Sequence, residues 1–225
     1  MQNIHIQIAG YGVEGPNMFF TSDPHYGHRN VIRFCDRPYD DVKEMSTSLI
    51  NNWNSVVGDD DYVFVLGDLF WFNDSHSIKR VLSQLKGKIF IIPGNHDKME
   101  SYYRVDDPRI VICSDIVNLF VEETEADGTI KHHQFVLSHY PQATWTHRER
   151  GAYNLFGHIH SKAGRDGFDQ DLILHWNQCD VGVDFWNYTP VCWETLKHKF
   201  DTQKQFKYKY ERLFKMIRQI IKDFF

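Results

Sequence analysis

Apolar residues in this chain gather into short continuous runs, and five of the runs stop abruptly at a histidine, aspartate or asparagine. Met18-Phe19-Phe20-Thr21-Ser22 meets Asp23-Pro24-His25, Tyr62 to Leu66 meets Gly67-Asp68, and Ile89 to Pro93 meets Gly94-Asn95-His96-Asp97. Phe135 to Ser138 ends at His139, and Leu155-Phe156 at Gly157-His158-Ile159-His160. Runs without alternation predict strands buried on both faces. Between them lie helical periods. Met45, Leu49, Trp53 and Val56 share one face of a helix over Val42 to Val57, opened by a capping box at Asp41-x-x-Glu44 and stopped by Gly58. Ile78, Val81, Leu82 and Leu85 share a face over Ser77 to Lys86, with Gly87 after it.

Elsewhere Ile4, Ile6 and Ile8 alternate with polar residues, predicting a half-exposed strand that Gly10 to Asn17 turns back into the Met18 strand. Asp127-Gly128 predicts a hairpin between Asn118 to Val121 and Ile130 to Leu137. Val181 to Phe185 and Val191 to Leu196 read as two more strands, giving a second sheet. Helices alternating with buried strands make an α/β protein whose working site lies beyond the carboxyl ends of the strands, where all five polar endings would meet.

Composition narrows the class without changing that picture. At 225 residues, with 42% hydrophobic and 24% charged, the chain has the makeup of a globular domain, which excludes disorder and fibrous repeats. No apolar run reaches the roughly 20 residues of a membrane span, so a cytoplasmic protein is expected. Cys35, Cys113, Cys179 and Cys192 show no CxxC pair and are expected to be free thiols. After His198 there are eight Lys/Arg against three Asp/Glu, and before it 17 against 27. An acidic body of residues 1–198 thus carries a basic tail of residues 199–225. Phe206, Tyr210, Leu213, Ile217, Ile220 and Phe224 mark that tail as an amphipathic helix, expected to pack on the domain or to form a homodimer seam.

Asp23, His25, Asp68, Asn95, His139, His158 and His160 are seven oxygen and imidazole donors on one rim, too many for a single ion. A mixed carboxylate, amide and imidazole set suits Mn²⁺, Fe, Zn²⁺ or Ni²⁺, and Asp68 has the two oxygens needed to bridge. Two ions roughly 3.5–4 Å apart can generate a bridging hydroxide and hold phosphate oxygens, which is phosphoester hydrolysis. His96, with Asp97 orienting its ring, would form a catalytic dyad that protonates the leaving oxygen.

Asp23-x-His25, Gly67-Asp68, Gly94-Asn95-His96-Asp97, His139 and Gly157-His158-x-His160, in that order, resemble the signature of the calcineurin-like metallophosphoesterases. The resemblance implies Asp23, His25, Asp68 and His160 on one ion, Asp68, Asn95, His139 and His158 on the other, and His96 as a catalytic non-ligand. It also implies an αββα sandwich of two mixed sheets flanked by helices. Ser22 to Asn30, Arg37-Pro38, Ser138-His139-Tyr140-Pro141 and Val181 to Asn187 are similar to a short single-domain subgroup of bacteria and phages. The Leu-Phe-Trp-Phe-Asn after Asp68 departs from the Ser/Thr protein phosphatases.

The expected substrate is a small phosphomonoester or phosphodiester, plausibly a nucleotide or cyclic nucleotide, with Mn²⁺ the first metal to test. A nuclease is the main alternative, weakened by the acidic body, and a non-catalytic scaffold the next. His28 is a candidate contact to substrate phosphate. Trp71 and Phe72 are candidates for stacking on a base, with core packing the favoured expectation. Trp145, His147, Arg148 and Arg150 read as surface, and Asp184 as either a turn residue or a partner orienting a ligand. The remaining histidines, His133 among them, are expected to be solvated.

Overall fold

The structure is a computed structural model and describes residues 1–161 and 175–205; the amphipathic segment beginning at Phe206 lies outside them. Among the described residues ten strands form two five-stranded mixed sheets. Sheet I has the order β1-β6-β7-β8-β9, with β1 Gln2–Ala9, β6 Ile116–Thr124, β7 Ile130–Ser138, β8 Tyr153–Phe156 and β9 Gln178–Asp180. Sheet II has the order β10-β2-β3-β4-β5, with β2 Met18–Thr21, β3 Tyr62–Leu66, β4 Lys88–Ile92, β5 Ile110–Ile112 and β10 Val191–Cys192. Helices α1 Arg29–Phe34, α2 Val42–Val56, α3 Ser75–Leu82 and the short α4 Met99–Tyr102 flank sheet II.

The continuous apolar runs have a direct cause. Phe20, Phe64, Leu66 and Ile92 face the core between the sheets, while Phe19, Val63, Val65, Ile89 and Ile91 face the helices. The central strands β2, β3 and β4 therefore bury both faces, and polar residues are admitted only where these strands end. The register aligns Thr21 with Val65 and Leu66 with Ile92, so the carboxyl ends of β2, β3 and β4 lie side by side. β7 and β8 run parallel and bring their ends to the same edge.

Local signals agree with the helices. Asp41 accepts from the backbone N–H groups of Lys43 and Glu44 at 2.8 Å, and the Glu44 carboxylate accepts from Asp40 N–H at 2.7 Å, so the box closes one residue upstream of its usual place. Met45, Leu49 and Trp53 are buried, but Val56 is exposed and Val57 takes the core position, because the chain turns extended at Val57. The second helix begins two residues before the expected Ser77, capped by Asp74. The hairpin at Asp127-Gly128 joins β6 and β7 as expected.

Three expectations change. The Ile4, Ile6, Ile8 strand alternates in burial, yet it pairs in parallel with β6 instead of folding back on β2. β2 already has β3 and β10 on its two edges, so residues 10–17 cross from one sheet to the other. Val181 to Phe185 is no strand: Gly182 makes an isolated parallel bridge to Ser22, and the chain turns from Val183 onward, with Phe185 N–H donating to the Gly182 carbonyl. Val191 to Leu196 is strand only to Cys192; a helix over 193–205 (α5) follows, placing Trp193, Leu196 and Phe200 in the core between the sheets. None of the four cysteines forms a disulfide, and Cys113 and Cys179 are buried. Among the described residues no helix is long and apolar enough to cross a membrane.

Candidate metal centre

All seven donors come together at the strand ends. Asp68 Oδ2 lies between two imidazoles, 3.6 Å from His25 Nε2 and 3.5 Å from His139 Nε2. Asp23 Oδ1 lies 3.9 Å from His25 Nε2 and 3.8 Å from His160 Nε2. Asn95 Oδ1 is 2.9 Å from His139 Nε2, and the His158 ring stands 5.1 Å from that of His139. Asp23, His25 and His160 form one group with the spacing of metal ligands, and Asp23, Asp68 and His139 a second.

The backbone is bent to make this cluster. Asp23, His25, Asp68, His158 and His160 have φ of 57°, 51°, 54°, 70° and 47°. Non-glycine residues rarely adopt the left-handed region, and five of them in one site mark strain that the surrounding structure must hold in place. Two glycines make room: a Cβ on Gly94 would overlap Asp68 Oδ1, and one on Gly157 would overlap Ser22 Oγ and Asp23 Oδ2.

Partners behind the donors fix which atoms face inward. His139 Nδ1 lies 2.8 Å from the Leu66 carbonyl and His160 Nδ1 2.8 Å from Asp184 Oδ2, so both rings donate outward and turn Nε2 to the centre. Asp184 is thus the orienting partner and not merely a turn residue. It also pairs with Arg37 through two hydrogen bonds of 2.9 and 2.8 Å, and Arg37 donates to the carbonyls of Asp23 and Pro24. Sequence reasoning missed Arg37 as a site residue, because nothing in Arg37-Pro38 shows that the side chain reaches back to the first loop.

Electrostatics follow from burial. It raises the Asp23 carboxyl above its ordinary range, against the nearby His160 and His139. The His25 imidazole is pushed down to about 2 by burial, with His160 adding to the effect. For His160 burial works downward, but the hydrogen bond to Asp184 carries it up to about 10. Asp180, which accepts from Ser161 and Gly182 N–H behind the site, is raised by burial to about 6.

Around this cluster the other expectations divide. His96 is 43% exposed at its side chain, with Nε2 3.9 Å from Asp68 Oδ2. Asp97 does not serve as its orienting partner: its carboxylate accepts from the N–H groups of Asp68, Leu69 and Gly94 and from the Tyr102 hydroxyl. Those bonds tie the β4 loop to the β3 loop. His28 is buried and stacked under Trp71, whereas Trp71 is 43% exposed instead of packed in the core. Phe72 is half-buried against Phe70. Trp145, read as surface, is buried with Val136 and Ala152. His133 is half-buried on Glu123.

The cluster fits metal ions on its own chemistry. Asp23 Oδ1 is buried with no hydrogen-bond partner, and the carboxylates of Asp23 and Asp68 stand with His139 in one group whose ligand atoms all lie within 4.8 Å of one another. Acceptors aimed at one another need a cation between them. The model of the calcineurin-like phosphoesterase family matches residues 17–189. The chain belongs to that family.

Membership makes it a metal-dependent phosphoesterase in general class, and its fold is that family's αββα sandwich. An uncharacterised protein of Methanocaldococcus jannaschii is 32% identical over 177 residues, covering 77% of this chain and 85% of its own. The gene 66 protein of Mycobacterium phage L5 is 30% identical over 191 residues, 76% of this chain and 87% of its own, which supports the phage-type subgroup. A solved structure from Aquifex aeolicus, described as a protein of unknown function, shares the fold. Its TM-score is 0.58 at 23% identity, over 82% of this chain and 99% of that one.

Proposed function

We propose that this phosphoesterase works with two divalent ions on a small phosphomonoester or phosphodiester, nucleotides and cyclic nucleotides included, with Mn²⁺ the first metal to test. The observation that carries the reading is Asp68 Oδ2 between His25 Nε2 and His139 Nε2, beside the unpartnered Asp23 Oδ1. Asp23, His25, Asp68 and His160 would hold one ion, and Asp68, Asn95, His139 and His158 the other, with Asp68 bridging. Bound there, the ions would supply Lewis-acid activation of water and of the phosphoryl oxygens.

The chain's own residues do the rest. His139 and His160, held from behind by the Leu66 carbonyl and Asp184, keep their Nε2 atoms turned to the centre, where they would bind an ion. His96 is exposed beside the cluster, where its imidazole can deliver a proton to the departing oxygen. Asp97 positions the loops that carry Asp68 and Asn95, and acts on catalysis only through them.

Paired substitutions test the assignment. His96→Ala should keep full metal content while kcat falls by roughly 10²- to 10⁴-fold, the range for a lost general acid. Asn95→Ala should lose metal as well. If His96→Ala lost metal as completely as Asn95→Ala, His96 would be a ligand and the proton-donor role would fail.

A further inference from the structure

The loop after Asp68 reads Leu69-Phe70-Trp71-Phe72, and the fold treats these rings differently. Phe70 is fully buried and packs on Tyr26, Phe72 and Tyr102, while Trp71 between its two phenylalanines points out of the core. Its backbone is pinned, with Trp71 N–H donating to the Tyr26 carbonyl at 2.9 Å. Its indole lies flat on the His28 imidazole, centroids 3.7 Å apart and planes 4° apart, and His28 is itself buried. One face of the indole is therefore covered by a fixed support, while the residue remains 43% exposed. The ring centroid is 4.9 Å from that of His96 and 6.3 Å from that of His25. Phe34, 64% exposed, stands edge-on to the same His28 at 6.4 Å and extends the apolar rim.

We infer that Trp71 is a preformed stacking platform for a planar ring on the leaving group, which makes the substrate class phosphoesters of nucleosides or other ring-bearing alcohols. The inference rests on the hydrolytic reading above and deepens it. A ring leaving on the His96 side passes next to the indole, so one residue receives the proton demand and its neighbour the apolar body. Because His28 already holds the indole in place, little side-chain freedom is lost on binding. Stacking tolerates any base, so the platform selects for a ring and not for its identity.

Adenosine 5′-monophosphate and ribose 5-phosphate share the ribose 5-phosphate ester, and their leaving alcohols differ by the base. Both are to be tested as inhibitors of p-nitrophenyl ester turnover by the metal-loaded full chain. The unaltered protein should bind the nucleotide more tightly, by roughly ten-fold, the size of one base–aromatic stack. In Trp71→Ala the ratio of the two inhibition constants should collapse toward one, and Trp71→Phe should restore part of it. An unchanged ratio in Trp71→Ala, or a ratio near one in the unaltered protein, overturns the platform. A Trp71→Ala chain that does not fold leaves Trp71→Phe and the unaltered ratio to decide. Absence of any ester turnover in the unaltered, metal-loaded chain would instead remove the hydrolytic reading.

Discussion

Asp97 shows how a residue's neighbours, more than its type, settle its work. In sequence it follows His96, and an imidazole beside a carboxylate reads as a dyad. In space its carboxylate gathers three N–H groups from two loops and the Tyr102 hydroxyl. Such bonds to a charged acceptor each contribute about 1.5–3 kcal/mol. Asp97→Asn replaces one acceptor oxygen with a donor facing N–H groups, so it should lower stability by roughly 2–4 kcal/mol and weaken metal binding. Chemical denaturation and metal titration of the variant check this, and an Asp97→Asn chain with full stability but no turnover would return Asp97 to the dyad. The donors were legible because each ends an apolar run. Arg37, Asp97 and the outward turn of Trp71 were not, since each depends on contacts far along the chain or on a side-chain direction.

Elements were legible where the period was long and the cap chemistry local, as in α2 with Asp41 and Glu44. They were not where the partner was remote. Nothing in Ile4-His5-Ile6 distinguishes pairing with β2 from pairing with β6; the occupied edges of β2 decide it. The Val191 to Leu196 stretch was too short for its period to be read, and the helical steps from Trp193 to Leu196 to Phe200 emerge only past its end. α5 consequently carries part of the core. Phe200 is buried against Tyr153, and removing a buried phenylalanine costs about 3–5 kcal/mol. A chain ending after His198 should therefore melt well below the full chain, whereas one ending after residue 205 keeps Phe200 and should not lose that part. Equal melting temperatures for the two truncations would mean α5 contributes no core.

At the scale of the molecule, two sheets and their helices exist to bring five strand ends to one edge, and the acidic body must remain stable around a cluster of buried charges. Away from that edge, Lys197 of α5 donates to Glu123 of β6 at 3.0 Å, and His133 of β7 lies 2.8 Å from the same carboxylate. Burial alone would raise the Glu123 carboxyl, but these hydrogen bonds hold it below its ordinary range. A depressed folded value means the stabilisation is complete above the unfolded carboxyl range and is lost as pH falls through the folded value. Melting temperature should decline on acidification below about pH 4.5, where unfolded carboxyls begin to protonate, and Glu123→Gln should flatten that decline while lowering stability at neutral pH. An unaltered acid limb in Glu123→Gln would assign the acid sensitivity elsewhere.

The central claim is a centre of two ions bridged by Asp68 that hydrolyses phosphoesters. It is tested most directly by stripping the chain with chelator, titrating Mn²⁺ back, and following bound metal together with p-nitrophenol release from the monoester and the bis-phosphodiester. Turnover should be absent from the stripped chain and should saturate as the second ion binds; Asp68→Asn should fail to hold both ions and should not turn over. Turnover without metal, saturation at a single ion, or two bound ions with neither ester hydrolysed would contradict the account.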